Sequence, residues 1–267
     1  MRGPESSLTT KGWRNFAGVH GRLRSPLRPS KGDVEAVRRA IDGDDKSILL
    51  LGVTPELSGL GRELVAIDNS PRMLAQVWPG DRDGRRAILA DWTDLPFASG
   101  SFDVVIGDAS LNAAPEQVEE VLAEARRVLL PAGKLAVRLF CSPEEPETLD
   151  LIREDVFAGW PGNLHALKWR IAMALAASRP RATVPVQEIL AAFERMFPDR
   201  AQLAAATGWP GEDIATLDAY AGADHSLGFP TLSAIMKVIG RHFADLTVVP
   251  AAGYPLAERC PTVVAAR

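Results

Sequence analysis

Three residues with usable chemistry close three short apolar runs in order along the chain. Gly52 follows residues 48–51, Asp68 follows residues 64–67, and Asp91 follows residues 87–90. Gly52 opens a tight turn into Thr54 and Pro55, which suit the N-cap and first position of a helix. A strand that turns through glycine into a helix N-terminus leaves a backbone edge that a ligand can approach closely. Sixteen residues after Gly52, the Asp68 carboxylate can accept hydrogen bonds from both hydroxyls of a ribose. With Asp91 at a third strand end, the set describes a nucleoside site.

The elements that must position these residues alternate. Residues 33–41 form a helix capped by Asp33, with Val34, Val37 and Ile41 on one side and Arg38 and Arg39 toward the negative end of its dipole. Residues 70–78 follow Asp68 as a helix, with Ser70 at its cap and Pro71 at its first position. A fourth strand ends at Gly107 and Asp108, and Pro115 opens a helix whose apolar positions Val118, Val121, Leu122, Ala125, Val128 and Leu129 share one face. Residues 131–133 end that helix, and residues 135–140 form a fifth strand. Strands alternating with helices predict a mainly parallel sheet covered on both faces.

This order resembles the class I S-adenosylmethionine-dependent methyltransferases. The first strand of that family ends in a glycine loop, the second in an acid that binds the ribose, and the third in an Asp that contacts the adenine. Residues 101–107 are similar to its fourth strand, and residues 126–138 to its helix, Pro-Gly turn and fifth strand; the likeness covers roughly 33–141 and 230–267. The glycine loop departs from the pattern. Leu50 stands where an acid is usual, and Thr54 and Glu56 stand where further glycines would be.

The resemblance implies a doubly wound, mainly parallel seven-stranded sheet that closes with an antiparallel hairpin, residues 245–249 and 261–265. It implies S-adenosylmethionine as cofactor, a small-molecule acceptor, and in-line methyl transfer; a cofactor-binding but catalytically silent partner protein is the alternative reading. Gly52, Val53, Thr54 and Glu56 are expected beside the methionine part. Asp68 is expected at the ribose, with Asn69 in the same cofactor site, and Met73, Asp91 and Trp92 at the adenine. Asp108, Ala109 and Ser110 are expected where methyl donor and acceptor meet, Ser110 with capping as its other role. A nicotinamide cofactor is disfavoured, because residues 52–56 lack the GxGxxG spacing that accommodates a pyrophosphate.

The sulfonium is already activated, so methyl transfer needs alignment above all, and a general base only when the acceptor must lose a proton. Asp108 is the first candidate base by position, with His225, Tyr220 and His165 as alternatives in or beside the stretch after Cys141. That stretch, residues 142–229, is far longer than an ordinary crossover, yet it is patterned as helices at 149–157, 164–177, 186–197, 200–206 and 212–220. It reads as a helical insertion, a lid or cap. Residues 203–220 have the cadence of a helix-turn-helix, but their second helix carries Glu212, Asp213 and Asp218 and no Lys or Arg, which argues against DNA reading. Trp160, Trp169 and Trp209 suit an apolar or aromatic acceptor pocket, and core packing explains them equally well.

Composition sets outer bounds. A net charge of −4 gives no overall attraction to nucleic acid or acidic membranes, and no apolar run reaches the ~20 residues that span a bilayer. A soluble cytoplasmic protein is the expectation, with no signal-peptide core in residues 1–27; a homo-oligomer is not indicated. Cys141 and Cys260 lack CxxC spacing, so no metal site is expected, and two reduced core cysteines are favoured over a bridge. Residues 1–32 form a basic arm carrying Trp13 and Phe16, read as a tail anchored on the domain or as an arm that closes over the site.

Overall fold

The computed structural model describes residues 17–267. Lys11, Trp13, Arg14 and Phe16, which the arm reading invokes, lie outside the described residues. Helix α1 (Lys31–Ile41) is capped by Ser30 and not by Asp33. Ser30 Oγ accepts from the Asp33 N–H at 3.1 Å, and Asp33 Oδ2 accepts from the Ser30 N–H at 2.7 Å, a reciprocal capping box.

Seven strands form one sheet: β1 (Ser47–Leu51), β2 (Glu63–Asp68), β3 (Arg85–Leu89), β4 (Phe102–Asp108), β5 (Leu129–Arg138), and the late strands β8 (Ala244–Val249) and β9 (Thr262–Ala266). Their order is β3-β2-β1-β4-β5-β9-β8. The first five are parallel, and β9 runs antiparallel to both β5 and β8. Ile48, Leu49, Leu50 and Leu51 are all buried, as a central strand covered on both faces requires. Strand order reverses between β1 and β4, so their carboxyl ends open the crevice where ligands of such sheets bind.

Local boundaries differ from expectation in instructive ways. Thr54 makes no capping bond, and the chain after it takes one 3-10 turn (Pro55–Leu57) instead of an α-helix. Helix α2 (Pro71–Gln76) is capped by Ser70 as expected. A short α3 (Ser110–Ala113) precedes α4 (Val118–Val128), so Pro115 lies in the connection. Strand β5 starts directly at Leu129, and residues 131–133 are absorbed as an irregularity in its pairing with β4 rather than ending a helix. Helix α4 buries Val121, Leu122, Ala125 and Val128 against the sheet.

The insertion after β5 holds α5 (Leu149–Phe157), α6 (Leu164–Ala176), α7 (Val186–Met196), α8 (Arg200–Thr207) and the short α9 (Gly211–Ile214), which continues as a 3-10 helix (Ala215–Tyr220). A two-stranded ribbon of β6 (Thr183–Pro185) and β7 (Ser226–Gly228), which no periodicity in the sequence announces, ties the middle of this stretch to its end. Helix α6 is buried nearly all round, so it is the axis of this layer. Helix α10 (Leu232–Ile239), capped by Thr231, returns the chain to the sheet. Cys141 and Cys260 are buried and unbridged, and no described helix is long and apolar enough to cross a membrane.

Candidate functional site

The carboxyl ends of β1, β2 and β4 meet the insertion across two adjoining hollows. An outer groove of about 400 Å³ is lined by Asp68, Asn69, Asp91, Trp92, Pro115 and His225, among others. An inner cavity of about 110 Å³ is lined by Gly52, Val53, Thr54, Met73, Asp108, Ala109 and Ser110 on the sheet side. Phe140, Trp169, Tyr220, Leu227 and Phe229 close its far side. Asp68, Trp92, Ala113 and His225 border both spaces. The expected cofactor residues therefore converge, with one exception.

That exception is Glu56. Its carboxylate accepts from Arg28 Nε at 2.6 Å, and it borders neither hollow. The loop reaches outward to the arm instead of inward, because Arg28 supplies a cation there. Another part of the arm enters the site, with His20 and Leu27 on the inner cavity wall. Burial and the nearby Arg28 charge, partly opposed by Glu56, lower the His20 pKa to about 4, so its ring is neutral near pH 7.

Gly52 has φ +104°, a conformation that side chains resist, and its N–H donates to Ile67 O at 2.7 Å. A side chain there would project to within 3.9 Å of the Trp92 ring. Trp92 uses its indole N–H on Ile67 O at 2.8 Å, which fixes the ring and leaves its face as the contact surface. Asp68 Oδ1 accepts from the Ser70 N–H at 2.8 Å. Burial still pushes its pKa up to about 6, with that one bond pulling the other way. Two hydroxyl donors would stabilise such a carboxylate in its charged form. Asp91 Oδ1 accepts from both the N–H and hydroxyl of Thr93 at 2.8 Å, closing a polar turn at the groove mouth.

At the end of β4, Gly107 is needed because a Cβ there would run into the Ser110 hydroxyl. Ser110 donates to Leu51 O at 2.9 Å, so it ties the end of β4 to β1 in a structural role. Ala109 between them holds φ +57°, an uncommon conformation for a residue with a side chain. Asp108 accepts from Arg138 Nε at 2.6 Å. Arg138 also donates to Pro26 O at 2.9 Å and lies 3.9 Å from Asp33. Burial opposes the Arg138 charge, but Asp108 outweighs it and strengthens the guanidinium's hold on its proton.

The insertion candidates divide. Tyr220 and His225 reach the cavity wall; His165 does not. Burial drops the His225 pKa to about 4 and that of His165 to about 3. Burial pushes the Tyr220 phenol well above its usual range. Of the three tryptophans only Trp169 borders the cavity, its ring 5.2 Å from both Phe140 and Phe229. Trp160 stacks on Arg170 and Trp209 bonds to Gly162 O. Sequence reasoning missed Asn112, Phe140 and Phe229. Asn112 donates to Phe140 O and Gly228 O and accepts from the Phe140 N–H, clasping α3 to the insertion. Its only sequence signal was its place just beyond the fourth strand.

Comparison with known proteins agrees with this geometry. Residues 52–137 match the family model described as a methyltransferase domain. The chain is 34% identical over 159 residues to a demethylmenaquinone methyltransferase of Mycolicibacterium vanbaalenii, covering 58% of this chain and 62% of that protein. It is 30% identical over 181 residues to a demethylmenaquinone methyltransferase of Corynebacterium urealyticum, covering 64% and 71%. A solved SAM-dependent methyltransferase of Methanosarcina mazei superposes at TM-score 0.51 and 15% identity over 90% of this chain and 99% of that one. A Rhodobacter sphaeroides structure named for Zn-dependent alcohol dehydrogenases superposes at TM-score 0.59 and 14% identity over 97% and 98%. At such identities the two structures share the fold alone, and among the described residues no His, Cys, Asp and Glu group could hold a metal. With the strand order, the Gly52–Asp68–Asp91 rim and two relatives of one activity pointing the same way, the chain belongs to the class I S-adenosylmethionine-dependent methyltransferase family.

Proposed function

We propose that the protein methylates a small aromatic acceptor bound in the inner cavity, beneath a cap formed by residues 142–229. The observation that carries this reading is the two-sided wall: Gly52, Asp68 and Trp92, which suit a nucleoside, on the sheet side, and an aromatic trio of Phe140, Trp169 and Phe229 opposite. Both of the demethylmenaquinone methyltransferases above are named for methylating a ring-bearing small molecule, which supports the acceptor class without fixing its identity.

S-adenosylmethionine, when bound, supplies an activated methyl on a sulfonium. Gly52, Val53 and Thr54 line its methionine side, Asp68 and Asn69 hold the ribose, and Met73, Asp91 and Trp92 border the adenine. Ala109 and Ser110 fix the floor at the end of β4. The cap excludes water and holds the acceptor in line, which is most of what this transfer requires. Of the candidate bases that border the cavity, Asp108 is engaged by Arg138, His225 binds a proton weakly, and Tyr220 keeps its own. This inventory suits an acceptor whose nucleophilic atom needs no strong base.

The test is calorimetric titration with S-adenosylhomocysteine. Asp68→Ala should weaken binding by roughly 1–3 kcal/mol, the loss expected for charge-assisted hydrogen bonds. Equal affinity in a folded variant would remove Asp68 from the site. A catalytically silent partner protein is the second reading, supported by the loop that turns Glu56 to Arg28. Turnover of any member of an aromatic acceptor panel excludes it.

A further inference from the structure

The cap side of the inner cavity is apolar except at a few atoms, and two of these stand out. Tyr220 is 2% exposed and Trp169 is 5% exposed. Among the described residues, neither the Tyr220 hydroxyl nor the Trp169 indole N–H meets a hydrogen-bond partner. Both residues line the same cavity. Buried polar groups are nearly always partnered, because stranding one costs its full desolvation penalty. Two orphaned donors on one wall are therefore informative, and they differ in kind from the polar groups around them. Trp92 and Asn112, on the sheet side and in α3, have their donors committed to backbone carbonyls.

Neither group can serve as a base. An indole N–H only donates, and the buried Tyr220 keeps its proton, so it too presents a donor. Lys168 Nζ lies 5.4 Å from the Tyr220 ring centroid and donates to Thr216 Oγ1 at 3.4 Å, so it packs against the ring without answering the hydroxyl. The matching ligand atom must be an acceptor carried by a flat apolar body.

We propose that Tyr220 and Trp169 are specificity-determining residues that recognise an oxygen substituent on a planar aromatic acceptor, their Oη–H and Nε1–H donating to it. This rests on the reading of the cavity as the acceptor site and names the polar feature that the acceptor must carry. A ligand oxygen that answers either donor recovers part of the penalty carried by the ligand-free protein, so an analogue lacking that atom binds less tightly.

The test compares 2-naphthol with naphthalene, binding each to the full chain saturated with S-adenosylhomocysteine. The wild type should bind 2-naphthol on the order of 5- to 10-fold more tightly, the worth of a buried hydrogen bond. Tyr220→Phe and Trp169→Phe should each erode that preference, read as the ratio of the two affinities within each variant, while leaving S-adenosylhomocysteine affinity unchanged. Because Tyr220→Phe removes a stranded hydroxyl, it should also raise the melting temperature of the ligand-free protein. A preference that survives both substitutions, a wild type with none, or a Tyr220→Phe protein that melts lower would each overturn the proposal. Loss of S-adenosylhomocysteine binding in the wild type would instead overturn the cofactor reading beneath it.

Discussion

The Asp108 carboxylate at the end of β4 and the Trp169 indole in α6 face the same cavity and are both buried, but they are held differently. Asp108 meets Arg138, and Arg138 in turn reaches Pro26 O and Tyr254. Ser110, Asp68 and Trp92 along the same sheet edge each have a protein partner too. Across the cavity, the Trp169 N–H and the Tyr220 hydroxyl have none among the described residues. Apart from the Asp68 carboxylate, which still has room for donors, the sheet edge is a finished network, while the far wall leaves donors for something else to satisfy. The difference teaches where rigidity and selectivity reside: a universal cofactor needs one fixed cradle, and a particular acceptor needs groups that only it completes.

The sharpest way to break the comparison is to unfinish the finished side. Arg138→Ala should cost about 3–5 kcal/mol in urea unfolding, because it strands the buried Asp108 carboxylate. A loss under about 1 kcal/mol would show that the network is dispensable.

A second effect concerns Asp68, whose pKa near 6 lies above the ordinary 3.8. Folding favours its protonated form, so its contribution is fully present below about pH 4 and is lost as pH rises through 6. A carboxyl displaced that far changes stability by about 3 kcal/mol between those limits. His20 and His225, with lowered values, act oppositely as pH falls, so the measurement is the difference between wild type and Asp68→Asn in urea unfolding at pH 4 and pH 7. Asp68→Asn should gain on the wild type at the higher pH. Saturating S-adenosylhomocysteine should shrink that gap.

The smallest effect lies at the arm. Arg28 and Glu56 are both partly exposed, so Arg28→Ala should cost about 1 kcal/mol. Its clearer readout is limited proteolysis: cleavage within residues 17–28 should quicken, and should slow again with cofactor bound if the arm closes over the site. Cleavage unchanged by both would leave the arm a passive anchor.

Much of the sheet side was legible because it is written in local patterns. Residues 48–51 had to be a buried strand, a glycine had to follow, and Asp68 and Asp91 had to sit at neighbouring strand ends once the strands were parallel. The insertion's helices were legible from periodicity, and the range 149–157 matches α5 residue for residue. Boundaries failed where one residue type serves two roles: Asp33 reads as a cap but sits three residues inside the helix, and Pro131 reads as a stop but lies within β5. Glu56 looked like a ligand because it stands in the loop; its partner Arg28 is twenty-eight residues away, beyond any local rule.

The alternation of strands and helices, the family likeness and the placing of Gly52, Asp68 and Asp91 at strand ends could be read from the chain, because strand ends and turns are set by sequence neighbours. Only the tertiary structure decided which polar groups are answered. Arg138 finds Asp108 thirty residues off, while Tyr220 and Trp169 are brought to one wall and left without partners among the described residues. Hydrogen-bond satisfaction depends on what lies across a cavity, and no spacing along the chain encodes that.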